Sequence, residues 1–384
     1  MSRRSVLGAV CASNGAFEAT ARRIASQQQQ RSFTCTAQRH ASITHFTPTS
    51  SRELDSLLND IRTKIILPHY LPMYQRKKLY SPKWEKKLRS DPIIIEIDGE
   101  VIKFRYQNPA TDIPDTRKSV VRAVEQFETA EDFANLKPLL EGLTYSGRYI
   151  PHSVYAKILR RAGNKGRIYD IIDCARSVRT TGYKLDSSEK VNELLHYVQM
   201  KAREADWDEV ATRQSLRWAE MVVEMLHEEA HQRRRPKTET PLPGERPLTR
   251  DPMVVAAPLH LAAVLVAQHA AGEDVVEKVY KLARDVVAFW PEGQELKKVY
   301  PSELFADFDK MGYLNIPNKF VALATPLLHG LETAIKVVET AEPELAGQLQ
   351  TRHDTLAAEI KEARETLPSQ DMRGTTIYQK FYDS

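Results

Sequence analysis

VYAKILRRAGNKGRIYDIIDCARSVRTTGYKLDSSEKVNELLHYVQMKARE, residues 154–204, is the stretch whose periodicity decides the fold. Ile168, Ile171, Ile172, Ala175 and Val178 recur at three- and four-residue spacing and form one apolar stripe; Val191, Leu194, Leu195 and Val198 form another. Gly163 and Gly182 stand where these helices should stop, as Gly142 does for an earlier one, because a helix end often needs the left-handed backbone that glycine adopts without strain. Asp186 followed by Glu189 has the spacing of an N-cap and its reaching carboxylate, and Thr129 followed by Asp132 resembles the same capping box. The pattern predicts short antiparallel helices from Val154 to Ala162, from Ile168 to Thr180 and from Glu189 to Glu204. The chain reads as mainly α.

Working outward, residues 116–231 read as a helical domain and 253–366 as a second helical block. Between them, residues 232–252 hold Arg233, Arg234, Arg235 and five prolines (Pro236, Pro241, Pro243, Pro247, Pro252), the composition of an exposed linker. The most apolar run, Val254 to Ala271, is broken by Pro258, His260, Gln268 and His269, which fits a buried helix better than a membrane span. Ala162-Gly163 followed by Ala175-Arg176 is echoed by Ala271-Gly272 followed by Ala283-Arg284, one residue closer; the spacing resembles degenerate pentatricopeptide or tetratricopeptide hairpins, and the alternative is the echo that any helical bundle produces. From Leu331 to Leu367 acids outnumber bases, and a solvent-exposed helical pair broken near Pro343 is expected. The tail, residues 367–384, carries Tyr378, Phe381 and Tyr382; it either docks on a neighbour or frays.

Upstream, residues 91–115 contain a hairpin signal. Ile93 to Ile97 leads into Asp98-Gly99, which supplies the positive φ angles of a two-residue turn, and then into Glu100 to Tyr106. Ile102, Phe104 and Tyr106 alternate with Lys103 and Arg105, giving one apolar and one basic face. Residues 47–90 read as a basic irregular arm: from Arg62 to Arg89 there are nine basic residues and a single acid, Glu85, with Tyr70, Tyr74, Tyr80 and Trp84 among them. Pro68, Pro72 and Pro82 preclude one continuous helix. Cations neutralise phosphates and rings stack on bases, so the candidate RNA-binding residues are Arg76, Lys77, Lys78, Lys83, Trp84, Lys86, Lys87 and Arg89. The competing expectation is an arm folded onto acidic helices of its own chain. The whole is therefore expected as a helical-hairpin, repeat-like bundle preceded by a basic irregular arm and a short β-hairpin.

Residues 1–46 hold six arginines, no lysine and one acid, Glu18, among many hydroxyl residues, which is the composition of a mitochondrial presequence. Ala16 to Ser26 fits a short amphipathic helix, with Phe17, Ala21 and Ile24 on one side, and Arg31-Ser32-Phe33 suits a processing site. The expected destination is the mitochondrial matrix; a disordered cytosolic tail is the alternative. The full chain carries 55 basic and 51 acidic residues, so without the presequence the charge is close to neutral. The basic arm is consequently set against an acidic remainder.

Catalytic chemistry finds little footing. His227-Glu228-Glu229-Ala230-His231 matches H-E-x-x-H, in which two histidines one helical turn apart bind zinc and the glutamate activates water. Glu229 is charged at a normally uncharged position, three arginines follow, and the next acids, Glu239 and Glu245, lie in the proline-rich segment. A zinc peptidase is the least favoured reading. Gly163 to Arg167 lacks P-loop spacing, no nucleophile elbow occurs, and Cys174 has no partner at disulfide or zinc-ligand spacing outside the presequence region. No enzyme activity, cofactor, metal or small-molecule substrate is expected.

The run Leu71-Pro72-Met73-Tyr74-Gln75-Arg76-Lys77-Lys78-Leu79-Tyr80, with Lys83-Trp84 and Phe104-Arg105-Tyr106-Gln107-Asn108, resembles fungal mitochondrial ribosomal proteins, most of all large-subunit ones with a basic extension before a helical domain. The resemblance spans about Ile61 to Met200. It implies an architectural role, with the arm on mitochondrial rRNA, the helices on other mitochondrial ribosomal proteins, and no membrane. The acidic helical part points to a peripheral position. The runner-up is a helical-repeat RNA-binding factor in mitochondrial translation or RNA maturation.

Overall fold

The computed structural model describes residues 43–233, 240, 242–269, 271–307, 310–367 and 372–383. The presequence features from Arg3 to Arg39, including the processing site, lie outside the described residues. The described residues fall into two units, residues 43 and 97–99 in the first and those of 44–96 and 100–383 in the second. In the first, the Ile43 amide donates to the Asp98 carboxylate at 2.8 Å.

The second unit opens with α1, Arg52–Ile61, whose N-cap Ser51 accepts a hydrogen bond from the Leu54 amide. Leu54, Leu58 and Ile61 are buried along one face, and the stripe continues through a π-helical turn at Arg62–Ile66 and a 3-10 turn at Leu67–Tyr70. The segment expected as one arm, residues 47–90, therefore divides near Leu71. Its first half is bundle core, because the apolar residues between Leu54 and Ile66 keep helical spacing despite the intervening charges. The second half consists of α2 (Met73–Leu79), a 3-10 turn (Pro82–Trp84) and α3 (Glu85–Ser90). Pro72 and Pro82 begin these pieces rather than leaving them irregular, since proline at a first helical turn loses no hydrogen bond. Only Leu79 and Leu88 of this strap are buried.

The hairpin forms as expected: β1 (Ile93–Ile97) and β2 (Glu100–Phe104) are the two strands of one sheet. Asp98 has φ +50° and Gly99 φ +82°, the left-handed pair that the tight turn requires. Ile102 and Phe104 are buried while Lys103 and Arg105 are exposed. The Gln107 amide donates to the Leu79 carbonyl at 3.1 Å and ties the exit of β2 to α2.

Helices follow to the C-terminus: α4 (Thr116–Glu125), α5 (Ala130–Ala134), α6 (Leu136–Tyr145), α7 (His152–Asn164), α8 (Ile168–Arg176), α9 (Val178–Thr181), α10 (Ser188–Glu204), α11 (Glu209–Met225), α12 (Pro252–Gln268), α13 (Glu273–Phe289), α14 (Pro317–Val338), α15 (Pro343–Glu365) and α16 (Arg373–Tyr382). Thr129 and Asp132 make the expected capping box on α5. The N-cap of α10 is Ser187 rather than Asp186; Asp186 instead pairs with Lys190, and Glu189 with Lys319. Gly182, at φ +69°, ends α9 as expected. Gly142 does not end a helix. It lies inside α6, where a Cβ would come within 2.6 Å of Ile66 Cδ1, so its smallness lets the π-turn segment approach.

Residues 232–252 do not separate two cores, for one apolar cluster runs from Leu54 to Ala363. The apolar run expected as a buried helix is α12, with every residue from Pro252 to Leu265 buried between α10, α11, α13 and α14. Among the described parts of the linker, Leu242 and Leu248 pack on the core and Arg246 reaches the Phe289 carbonyl. The two echoed segments are both packed helix pairs, α7 with α8 and α12 with α13. Their registers differ, because Gly163 lies within α7 whereas Gly272 is the N-cap of α13.

Helix α14 is long and apolar enough to cross a membrane, yet 72% of its apolar window is buried inside the protein, packed by α12, α15 and α16. The pair expected as solvent-exposed, α14 and α15, buries one full side; Leu345, Leu349, Leu356 and Ile360 of α15 face the core. The tail neither frays nor waits for a neighbour in its described part. Arg373 of α16 grips Glu193 of α10 through two hydrogen bonds of 2.9 and 2.8 Å, and Phe381 packs on the rings of Trp207 and His329.

Candidate nucleic-acid interface

Short helices α2 and α3 place the eight sequence-selected residues on one strap. Lys77, Lys83, Lys86, Lys87 and Arg89 are exposed; Arg76, Lys78 and Trp84 are half-buried. Arg89 pairs with Glu85 one turn away at 2.7 Å, and it is the only one of the eight that meets a carboxylate among the described residues. Lys78 and Lys87 lie over the Trp84 ring at 4.7 and 5.7 Å from its centroid. Trp84 is thus occupied by its own lysines, which it splays outward. Tyr74 is the most exposed ring of the strap, 61% exposed beside Met73 at 64%, with Lys78 at 5.7 Å from its centroid as well. Tyr70 instead stacks on Tyr145 at 4.5 Å between centroids.

The bundle treats its charges differently. Glu193 with Arg373, Glu189 with Lys319, Asp173 with Lys137, Glu220 with Lys278 and Glu128 with both Arg161 and Lys165 are paired within it. The expectation that the arm folds onto the acidic helices of its own chain is not met by these residues. What the strap offers is a set of exposed ammonium and guanidinium groups beside an exposed phenol ring, suited to phosphate and to a stacked base.

At the root of the strap Arg76 Nη1 donates to His69 Nδ1 at 2.9 Å. Burial, then the Arg76 and Arg148 charges, push the His69 imidazole down to about 4. Burial raises the Tyr80 hydroxyl against the opposing pull of the same two arginines. Sequence reasoning missed His69 and Arg148. Arg148 arrives from the turn after α6, where Gly147 at φ +64° folds the chain back, and no local signal links it to the strap.

The H-E-x-x-H match does not make a zinc helix. α11 ends at Met225, and Glu229–His231 is a separate 3-10 turn, so His227 and His231 do not stand one helical turn apart on a common face. His231 is buried with Nδ1 accepting from the Leu185 amide at 3.1 Å. No group of three potential metal ligands occurs among the described residues.

Comparison with known proteins accounts for this arrangement. Residues 31–383 match the family described as mitochondrial ribosomal protein mS27. A relative from Neurospora crassa, the small ribosomal subunit protein mS27, is 34% identical over 366 residues, covering 92% of each chain. A relative of that kind corrects the expectation of a large-subunit protein, which leaned on a basic extension that does not distinguish the subunits. Family membership makes the protein mitochondrial and structural rather than enzymatic, with rRNA and other ribosomal proteins as its partners. The match over nearly the whole chain gives the assignment: the protein belongs to the mitochondrial ribosomal protein mS27 family.

Proposed function

We propose that this protein is an architectural component of the small subunit of the mitochondrial ribosome, working in the matrix. The strap carrying Arg76, Lys77, Lys78, Lys83, Lys86, Lys87 and Arg89 lies on rRNA, and the helical bundle faces neighbouring ribosomal proteins. The name of the Neurospora crassa relative, a small ribosomal subunit protein, supports the small-subunit reading. The observation that carries the RNA contact is the state of the strap's own cations: among the described residues only Arg89 of the candidates meets a carboxylate, whereas the buried acids Glu193 and Glu189 of the bundle are each paired within it. A row of unanswered cations attracts a polyanion and releases its counterions.

Sedimentation tests the proposal. Mitochondrial lysate run on a sucrose gradient at moderate salt should show the protein co-migrating stoichiometrically with the small subunit. Substoichiometric recovery, with most of the chain in lighter RNA-containing fractions, would instead favour a factor acting on a transcript. Migration with the large subunit would overturn the placement.

A further inference from the structure

We infer that His69, Arg76 and Arg148 form a seat for a single phosphate group at the root of the strap, and that its occupant is a backbone phosphate of RNA. This rests on the reading of the strap as the RNA-facing element and extends it to Arg148, a residue of the bundle. The geometry begins with the 2.9 Å contact between Arg76 Nη1 and His69 Nδ1. A guanidinium only donates, so Nδ1 is the acceptor and the neutral ring keeps its proton on Nε2. The imidazole therefore adds an N–H donor to those of two arginines.

Both arginines act on His69 and both act on Tyr80, and the charges bearing on these two groups are all positive. Arg148 Nε and Tyr80 Oη are buried without a hydrogen-bond partner. One guanidinium in contact with a half-buried imidazole and a second whose charge also bears on it repel each other, and a desolvated donor without an acceptor is costly. An anion with several acceptor oxygens relieves both, and the planar guanidinium fork fits a phosphate.

A carboxylate from an acidic protein segment has part of the same chemistry. The surroundings favour RNA, because exposed Lys77 and the exposed ring of Tyr74 continue outward from the seat along the same short helix. A polymer that repeats its negative charge and carries flat bases meets all of these groups at once. The seat would also hold the strap in register with the bundle, since Arg76 comes from one and Arg148 from the other.

The test uses the full chain with two probes, inorganic phosphate and a fragment of mitochondrial small-subunit rRNA. Inorganic phosphate should move the His69 ring, followed by its NMR resonances, from about 4 toward its ordinary 6.5. Arg148→Gln should weaken binding of the rRNA fragment about tenfold and reduce the slope of log affinity against log salt by about one. Arg148→Lys should retain most of that slope, and neither variant's urea midpoint should fall below the parent's, since the free protein loses only a stranded donor. A phosphate response without any change in rRNA binding on Arg148→Gln would mark an adventitious ion only and overturn the seat. Unchanged rRNA binding in Arg148→Gln, alongside loss in a variant neutralised at Lys77, Lys86 and Lys87, would overturn the seat but leave the strap reading standing. No loss in either variant would sink both. Release of an acidic ribosomal neighbour by Arg148→Gln, with rRNA binding intact, would replace the phosphate by a carboxylate.

Discussion

Helix α12 and the strap of α2 and α3 are alike in length and opposite in surroundings. α12 has every residue from Pro252 to Leu265 buried and only one polar side chain among them, His260, to satisfy; that ring meets Gln199 and His329 at 2.8 Å each. The strap buries two leucines and leaves five of its seven cations exposed, with Arg76 and Lys78 half-buried. Stability is thus concentrated where apolar side chains interlock, and recognition where charge is left unanswered, so the two can be altered separately. Substitutions in the bundle should change the unfolding free energy and affect RNA only through unfolding. Substitutions in the strap should do the reverse.

The largest effect belongs to the core. Val191, Leu194 and Leu195 of α10 are all buried in the central cluster. Truncating each to alanine costs about 2 to 5 kcal/mol, which for the three together exceeds what a typical domain can lose. The triple variant should be unfolded by circular dichroism at 25 °C. A cooperative unfolding transition near the parent's midpoint would break the division of labour at its strongest point.

This part of the molecule was legible in the sequence. The stripes from Ile168 to Val178 and from Val191 to Val198 became α8, α9 and α10 within a few residues of the expected bounds. The Asp-Gly hairpin and the alternation of Ile102 and Phe104 with Lys103 and Arg105 were equally plain, since both follow from local backbone geometry. Less was visible where charges interrupt a stripe. Leu54, Leu58, Ile61 and Ile65 keep helical spacing, but the basic residues beginning at Arg62 drew the whole segment into the arm. Pairings between distant segments were not legible at all: Arg373 and Glu193 lie 180 residues apart, and the charge of Arg148, from the turn after α6, bears on His69. Nor does a basic strap say which ribosomal subunit it joins, because rRNA phosphates are alike in both.

Next in size is the clamp that holds α16 to the bundle. Glu193 is buried and accepts two hydrogen bonds from Arg373, so Arg373→Ala strands a carboxylate in the interior. Removing one partner of such a pair costs about 3 to 5 kcal/mol. Urea unfolding of the variant should show that loss, and replacing Glu193 by glutamine in the same chain should recover part of it. An unchanged midpoint in Arg373→Ala would mean that the tail is not part of the folded unit.

Asp132 gives a smaller effect with a pH signature. Burial alone would raise its carboxyl, but hydrogen bonds from the amides of Ser50, Thr129 and Glu128 and from the Ser50 hydroxyl outweigh this and hold it down at about 2. A depressed carboxyl stabilises the fold fully above its unfolded value of 3.8, and the contribution fades as pH falls from there through about 2. Asp132→Asn should cost about 1 to 3 kcal/mol at neutral pH. It should also flatten the acid limb of a stability profile between pH 4 and 2 relative to the parent, within the window set by those two values. Parallel acid limbs would show that the carboxylate does not pin the segment before α1 to α5.

The strap should register least on stability and most on binding. Neutralising Arg76, Lys77, Lys78, Lys86 and Lys87 together to glutamine removes no buried apolar group, and surface changes of this kind shift stability by within about 0.5 kcal/mol each. Lys78 and Lys87 also relinquish their positions over Trp84, which at exposed sites are worth about 0.5 to 1 kcal/mol each, so a modest destabilisation confined to that ring is expected. Association with rRNA should fall steeply, and its salt dependence should flatten by about one unit of slope for each phosphate that the variant no longer neutralises. The pair of readouts is what gives the test its force. If the variant kept RNA binding and lost stability, the lysines would be holding the fold rather than a polyanion. If it kept both, the unpaired cations of the strap would be a solvated surface and nothing more.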